Sequence, residues 1–370
     1  MILVTIIAFI VIFSLLVLVH EFGHFIAARK FGVKVEEFGL GLPPLAKKIF
    51  KDKKGTWFTL NWIPFGGFVR LFGEDTFDPK VLKDKQSFAS KTILQRTIII
   101  LGGVFMNFVL AWVLITFGFL VGMKPFLVTA EDVQMAQEQG IVDTRQVLYI
   151  HEVMPESVFE DGSIVAGDYV IKINNELVPE AGALSTILKP NTPADLTVMH
   201  GEEESVVNVV PNDDGKLGVM ISTELKVEKV YPVKYPIHQA PVKALYEVGR
   251  LSVLTVEMLG QVIVSIVAKF TVPAGVAGPV GIAKMTHTFV QQGFMAVIQF
   301  MALISISLGV INVMPFPALD GGRFLFIIFE LVSRRKPNAK MESIIHTAGF
   351  GLLMLLILFI TWNDIVNLFV

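Results

Sequence analysis

Long uninterrupted apolar stretches dominate this chain, and polar residues gather between them. Four stretches reach the roughly 20 residues that a helix needs to cross a hydrocarbon core. They are residues 2–28, 97–121, 294–314, and 352–361 extended backward through HTAGFG. The third qualifies despite Gln299 and Asn312. Residues 251–270 are less uniform, because Glu257 and Gln261 interrupt them and a polar, Pro-bounded segment precedes them. That pattern predicts an amphipathic helix lying on the bilayer surface. Between residues 128 and 223 the pattern changes again: apolar and polar residues alternate, break at Gly and Asp, and resume as strand at ADLTVMH and SVVNVV. A small β domain is predicted there.

Composition agrees with the pattern. Of 370 residues 53% are hydrophobic and only 17% charged, with 30 Phe, too apolar for an ordinary soluble domain. The balance of 31 basic against 33 acidic residues gives no nucleic-acid signal. With no Cys in the chain, disulfides and thiolate metal sites are excluded, so any metal is held by His and carboxylates. The first segment lacks a basic leader and a small-residue cleavage site before His20, and is read as a retained spanning helix.

Loop charges set the expected orientation. Residues 29–96, including KKIFKDKK, and the segment SRRKPNAK are basic, whereas residues 124–234 carry GEEES and PNDDG. The positive-inside rule places the first two in the cytoplasm and the third outside. This predicts an α-helical polytopic protein with four spans, both termini outside, and an inserted extracytoplasmic β domain.

Into this apolar frame the chain sets VLVHEFGHFIAAR. His20 and His24 are four apart, so on a helix they share one face, and Glu21 lies beside them. Ionisable groups inside a membrane mark function, and two imidazoles at this spacing bind one metal. At about 1.5 Å per residue, His20 lies roughly 27 Å below the helix start, near the cytoplasmic edge of the hydrocarbon. A catalytic zinc site needs a third ligand and an open position. Asp320, in NVMPFPALDGGRF, is the candidate: Pro315 and Pro317 break the third span, DGG is expected to turn tightly, and the topology brings Asp320 to the depth of both His. Residues 56–70, TWFTLNWIPFGGFVR, read as a hairpin dipping into the interface, with an unpaired edge at Thr59, Leu60 and Asn61 for an extended substrate.

HEFGH together with the distant NVMPFPALDGG resembles the site-2 protease family of intramembrane zinc metalloproteases. FGLGLPP, GGVFMNF and GPVGIA are similar to its bacterial regulator-of-sigma-factor branch. GDYVIKINNELV resembles the PDZ pattern, with room for one such domain. At Gly103-Val104 the chain departs from the Gly-Pro usual before Asn107. The resemblance implies one Zn²⁺ per chain on His20, His24 and Asp320. It implies that Glu21 takes a proton from the metal-bound water and passes it to the leaving amine, and that Asn312 takes part in substrate binding. Asn107 carries two readings, substrate binding and a helix–helix hydrogen bond. The implied partners are transmembrane protein substrates such as anti-sigma factors or signal-peptide remnants, the lipid bilayer, and peptide C-termini at the PDZ-like domain. The implied location is the bacterial inner membrane.

The expected organisation is residues 1–123 with two spans, the zinc motif and a hairpin at about 37–75; 124–230, PDZ-like; 231–293, surface helix and linker; and 294–370, two spans with the third ligand. Competing readings are a membrane-anchored metalloprotease of soluble substrates, a non-catalytic PDZ scaffold with a structural metal, and a transporter. The depth of His20, the presence of Glu21, and the lack of a visible inverted repeat weigh against each in turn.

Overall fold

The computed structural model describes residues 2–74, 78–155, 157–159, 163–177, 187–201, 203–269, 273, 276–335 and 338–366. The last residue of the PDZ-like phrase, Val178, and the end of the predicted surface helix, Phe270, lie outside them. The chain divides into two compact units, Met1–Met123 with Lys234–Val370, and Lys124–Val233.

Five helices of the first unit are long and apolar enough to cross a membrane: α1 (Ile2–Lys30), α3 (Ile93–Val121), α5 (Ala240–Lys269), α7 (Phe294–Val313) and α9 (Ala339–Val366). Shorter helices α2 (Pro79–Lys83), α6 (Pro279–Gln291) and α8 (Asp320–Ser333) join them. Small residues let the helices approach, as expected where lipid gives no hydrophobic drive. At the α1–α3 crossing a Cβ on Gly23 would lie 2.1 Å from the Gly102 carbonyl oxygen, and one on Gly102 would lie 2.8 Å from that of Gly23. Gly309 of α7 takes the ring of Phe108 of α3, and Ile12, Leu16 and Met301 form a buried cluster between α1 and α7. Helix α3 runs unbroken through Val104, the position without the usual proline.

Helix α5 begins eleven residues earlier than the pattern predicts, at Ala240 rather than Leu251. Ala240, Ala244, Val248 and Leu251 are its buried stripe, whereas Val242, Leu245, Tyr246, Val253 and Val256 are exposed. Trp112 Nε1 donates to the Pro241 carbonyl at 2.9 Å and pins this helix to α3.

Strands β1 (Val35–Lys51) and β2 (Trp57–Leu71) pair with one another and both bend. Residues 37–40 lie opposite 57–60 on one side and opposite 67–70 on the other, and 57–60 also lie opposite 47–51. The expected unpaired edge at Thr59 and Leu60 is therefore corrected. Thr59 pairs with both Gly39 and Lys48, Leu60 with both Leu40 and Lys47, and Asn61 with Leu45. Thr59 and Asn61 are buried, with Thr59 Oγ1 donating to Glu37 and Asn61 Nδ2 to the Gly41 carbonyl. The single predicted hairpin folds twice because β1 doubles back beside β2, and the residues that read as an edge become interior. The far end of the sheet exposes Leu42, Leu45, Trp62 and Ile63.

The second unit contains α4 (Ala130–Glu138) and β3 (Val142–Val153), β4 (Tyr169–Ile173), β5 (Glu176–Leu177), β6 (Ala194–His200), β7 (Glu203–Val209) and β8 (Val219–Val230). Its sheet has the order β7-β6-β4-β3-β8, with β5 on β4. Leu148, Ile150, Ile173, Leu196 and Val198 fill its core. Asn174 and Asn175, both at positive φ, make the tight β4–β5 turn, a conformation that Asn tolerates better than most residues.

Candidate metal and catalytic centre

Helix α1 supplies His20 and His24 one turn apart, with both side chains buried. The third residue comes from across the bundle. Helix α7 stops at Val313, Met314 takes an extended conformation, and Pro315 and Pro317 prevent continuation. The chain then restarts as α8 at Asp320, so DGG is the first turn of a helix rather than the tight turn its composition suggests. Gly321 and Gly322 are there because the loop folds back on itself. A Cβ on Gly321 would meet the Val313 and Met314 carbonyl oxygens at 2.2 Å, and one on Gly322 would meet the Phe316 oxygen at 2.3 Å. Ala318, held at φ 82, donates its N–H to His346 Nδ1 at 3.0 Å, and Pro317 packs against Gly349 of α9. An Arg323–Glu74 ion pair and a partly buried Arg96–Glu330 pair fasten α8 to the segment after β2 and to α3.

Asp320 Oδ2 thus arrives 3.1 Å from His20 Nε2 and 3.4 Å from His24 Nε2, with the two Nε2 atoms 3.1 Å apart. His24 Nδ1 lies 2.9 Å from the Ile99 carbonyl, which only accepts, so in the neutral ring the proton is on Nδ1 and Nε2 carries a lone pair. Asp320 Oδ2 is buried and has no hydrogen-bond partner among the described residues. Three electron-pair donors converging at these distances repel one another, and a bound cation would relieve that. Zinc bonds of about 2.0–2.1 Å at tetrahedral angles place ligand atoms roughly 3.3 Å apart. The donor set and its spacing fit zinc, and four-coordination would leave one position open.

Glu21 points to the sheet, where its Oε2 accepts the Val69 N–H at 3.0 Å. Residues 67–70 pair only with 37–40, so Val69 lies on the unpaired side of the sheet among the described residues. Asn107 is buried against His20, with Nδ2 placed 3.2 Å from His20 Nδ1. Asn312 is half-buried near the end of α7, and its side chain makes no hydrogen bond to the three donors among the described residues. Thr59 and Leu60 are paired on both sides within the sheet, and Asn61 pairs with Leu45, as described above.

Gly103, which the sequence marks only as part of the departure before Asn107, lies under both imidazoles. A Cβ there would stand 2.4 Å from His24 Nε2 and 2.8 Å from His20 Cε1. His346, on the last apolar helix, likewise carries no sequence signal for its contact with the Ala318 N–H. A signal for the glycines existed, since Gly23 sits inside HEFGH and Gly102-Gly103 inside a spanning helix, where small residues mark close packing.

Apolar helices that present two imidazoles, a carboxylate and a neighbouring glutamate define a membrane-embedded metallopeptidase. The model of peptidase family M50 matches residues 8–356, and the chain belongs to that family, the site-2 proteases. It is 28% identical to the regulator of sigma E protease of Haemophilus influenzae, over 98% of each chain. It is 29% identical to the zinc metalloprotease RasP of Geobacillus kaustophilus, over 99% of this chain and 98% of that one. The regulator of sigma-W protease RasP of Bacillus subtilis is 27% identical over 99% of both. The protein is a zinc metallopeptidase that hydrolyses peptide bonds, and a multi-pass membrane protein.

Proposed function

We propose that the protein cleaves single-span membrane proteins within or beside their transmembrane segment, with His20, His24 and Asp320 holding the zinc and Glu21 moving the proton. The observation that carries this reading is that the three donors and Glu21 stand on, or directly after, helices apolar enough to span a membrane. Bound zinc supplies Lewis-acid polarisation and lowers the pKa of water. Glu21 then accepts the proton of the attacking water and delivers it to the departing amine nitrogen. On the side of Glu21, residues 67–70 have no strand partner among the described residues. The Val69 N–H that a substrate strand would use is held there by the Glu21 carboxylate. A substrate segment unwound from its helix adds there as an extended strand, which compensates the intrahelical hydrogen bonds it has lost. The second unit acts as a single PDZ-like domain that selects substrates or holds their C-termini. Anti-sigma factors suit this reading, given the names of the relatives.

Glu21→Gln tests it on the full-length protein with a model transmembrane substrate. The amide keeps the shape but cannot accept the proton. Zinc content should therefore stay at the wild-type level while cleavage falls by about 100-fold or more. Wild-type cleavage by Glu21→Gln would remove the assigned base.

The membrane topology we propose has four crossings, with α5 lying on the outer surface. Contact between His20 and Asp320 brings the C-terminal ends of α1 and α7 to one membrane face. With α3 crossing between them, α7 ends on that face only if α5 does not cross. The chain has no Cys, so single cysteines can be labelled without background. Lys53→Cys and Arg335→Cys should react only from the cytoplasmic side, and Asp213→Cys only from outside. Lys53→Cys and Arg335→Cys reacting from opposite faces would make α5 a fifth span.

A further inference from the structure

We propose that Asn107 is a positioning residue for the metal centre: its side-chain carbonyl accepts the Nδ1–H of His20 and thereby fixes which nitrogen faces the metal. This rests on the metal-centre reading above and concerns the residue behind it.

Asn107 stands on α3 one turn after Gly103 and is fully buried. Ser305 Oγ of α7 donates to its backbone carbonyl at 2.8 Å, so this turn of α3 is held from the far side as well. In the structure Asn107 Nδ2 faces His20 Nδ1 at 3.2 Å, and Asn107 Oδ1 is buried with no hydrogen-bond partner among the described residues. His20 Nε2 points at Asp320 Oδ2, so Nε2 is the ligand atom and must be unprotonated. A neutral imidazole then carries its hydrogen on Nδ1. Two N–H groups facing one another make no bond. Rotating the amide by 180° exchanges two atoms of nearly equal size and brings Oδ1 onto the Nδ1–H. The amide orientation is a matter of hydrogen-bond assignment rather than of shape.

With that orientation α3 supplies an acceptor to each histidine. The Ile99 carbonyl serves His24 at 2.9 Å, and the Asn107 amide serves His20. Outer-shell acceptors of this kind orient the ring and raise the basicity of the ligand nitrogen. A mere α1–α3 packing bond would make no demand on acceptor character. That difference separates the two roles.

The test measures zinc affinity of the full-length protein in detergent by competition with a chromophoric chelator, for wild type, Asn107→Leu and Asn107→Asp. Leu keeps the volume and removes the acceptor, and should weaken zinc binding about 10- to 100-fold. Asp presents only acceptors and should bind within a few-fold of wild type or more tightly. Wild-type affinity in Asn107→Leu overturns the inference. So does equal weakening in both variants, which would mark a packing role. A wild-type protein that binds no zinc at all would instead overturn the metal-centre reading, and this inference with it.

Discussion

Alanine at His20, His24 or Asp320 is expected to strip zinc from the protein and abolish hydrolysis, each substitution alone sufficing. Three protein ligands are the minimum for a catalytic zinc with an open position, and no further His, Asp or Glu joins this cluster among the described residues. A lost ligand therefore has no replacement. Zinc affinity should fall by more than the roughly 100-fold that follows loss of an outer-shell partner. The three variants differ in what they leave behind. Asp320→Ala removes the carboxylate but leaves the loop clasped by Gly321, Gly322 and His346, so folding should survive. His20→Ala and His24→Ala leave Asp320 Oδ2 buried with one imidazole, and folding should survive there too. Metal content by elemental analysis, read beside thermal unfolding, separates loss of zinc from loss of fold. Asn312→Ala serves as the control: it should keep zinc and lose at most substrate affinity. Full zinc and full activity in Asp320→Ala would place the third ligand elsewhere.

What was legible in the sequence is the chemistry; the close packing that supports it was not. His20, Glu21 and His24 announce themselves because helical spacing and lipid burial both make them improbable without a function. The meeting of Asp320 with the two imidazoles was readable because two prolines flag irregular backbone at the end of an apolar helix. The doubled sheet was not readable. Alternation of apolar residues reports that a segment is strand, but not which neighbour lies on each side, and so Thr59–Asn61 looked like an edge. DGG misled for a related reason. Glycine is usual where a turn is needed, yet Gly321 and Gly322 are required by the approach of three carbonyl oxygens, from Val313, Met314 and Phe316, to the first turn of a helix. The Asp320 loop also depends on His346 and Gly349, which lie a whole helix later and whose role only the folded chain reveals.

Gly103 yields the other large effect. Gly103→Ala adds one methyl group, usually a stabilising change inside a helix by roughly 1 kcal/mol. Here the new carbon would stand 2.4 Å from His24 Nε2, 2.7 Å from His24 Cε1 and 2.8 Å from His20 Cε1. Something must move, and α3 cannot retreat easily. Gly102, the preceding residue, is already packed backbone to backbone against Gly23, and Ser305 holds Asn107 one turn on. The imidazoles are left to swing, which takes Nε2 of both rings away from Asp320. Zinc binding and cleavage should fall together, by more than about 100-fold, with overpacking lowering stability by some 1–3 kcal/mol. Gly260→Ala is the matching control, since on α5 its Cβ meets nothing within 4 Å. It should leave zinc content and cleavage unchanged. Gly103→Ala with wild-type zinc affinity would mean that the rings have room to yield without losing their aim. The close fit of α3 beneath the histidines would then be packing alone, rather than part of what holds the proposed metal ligands in place.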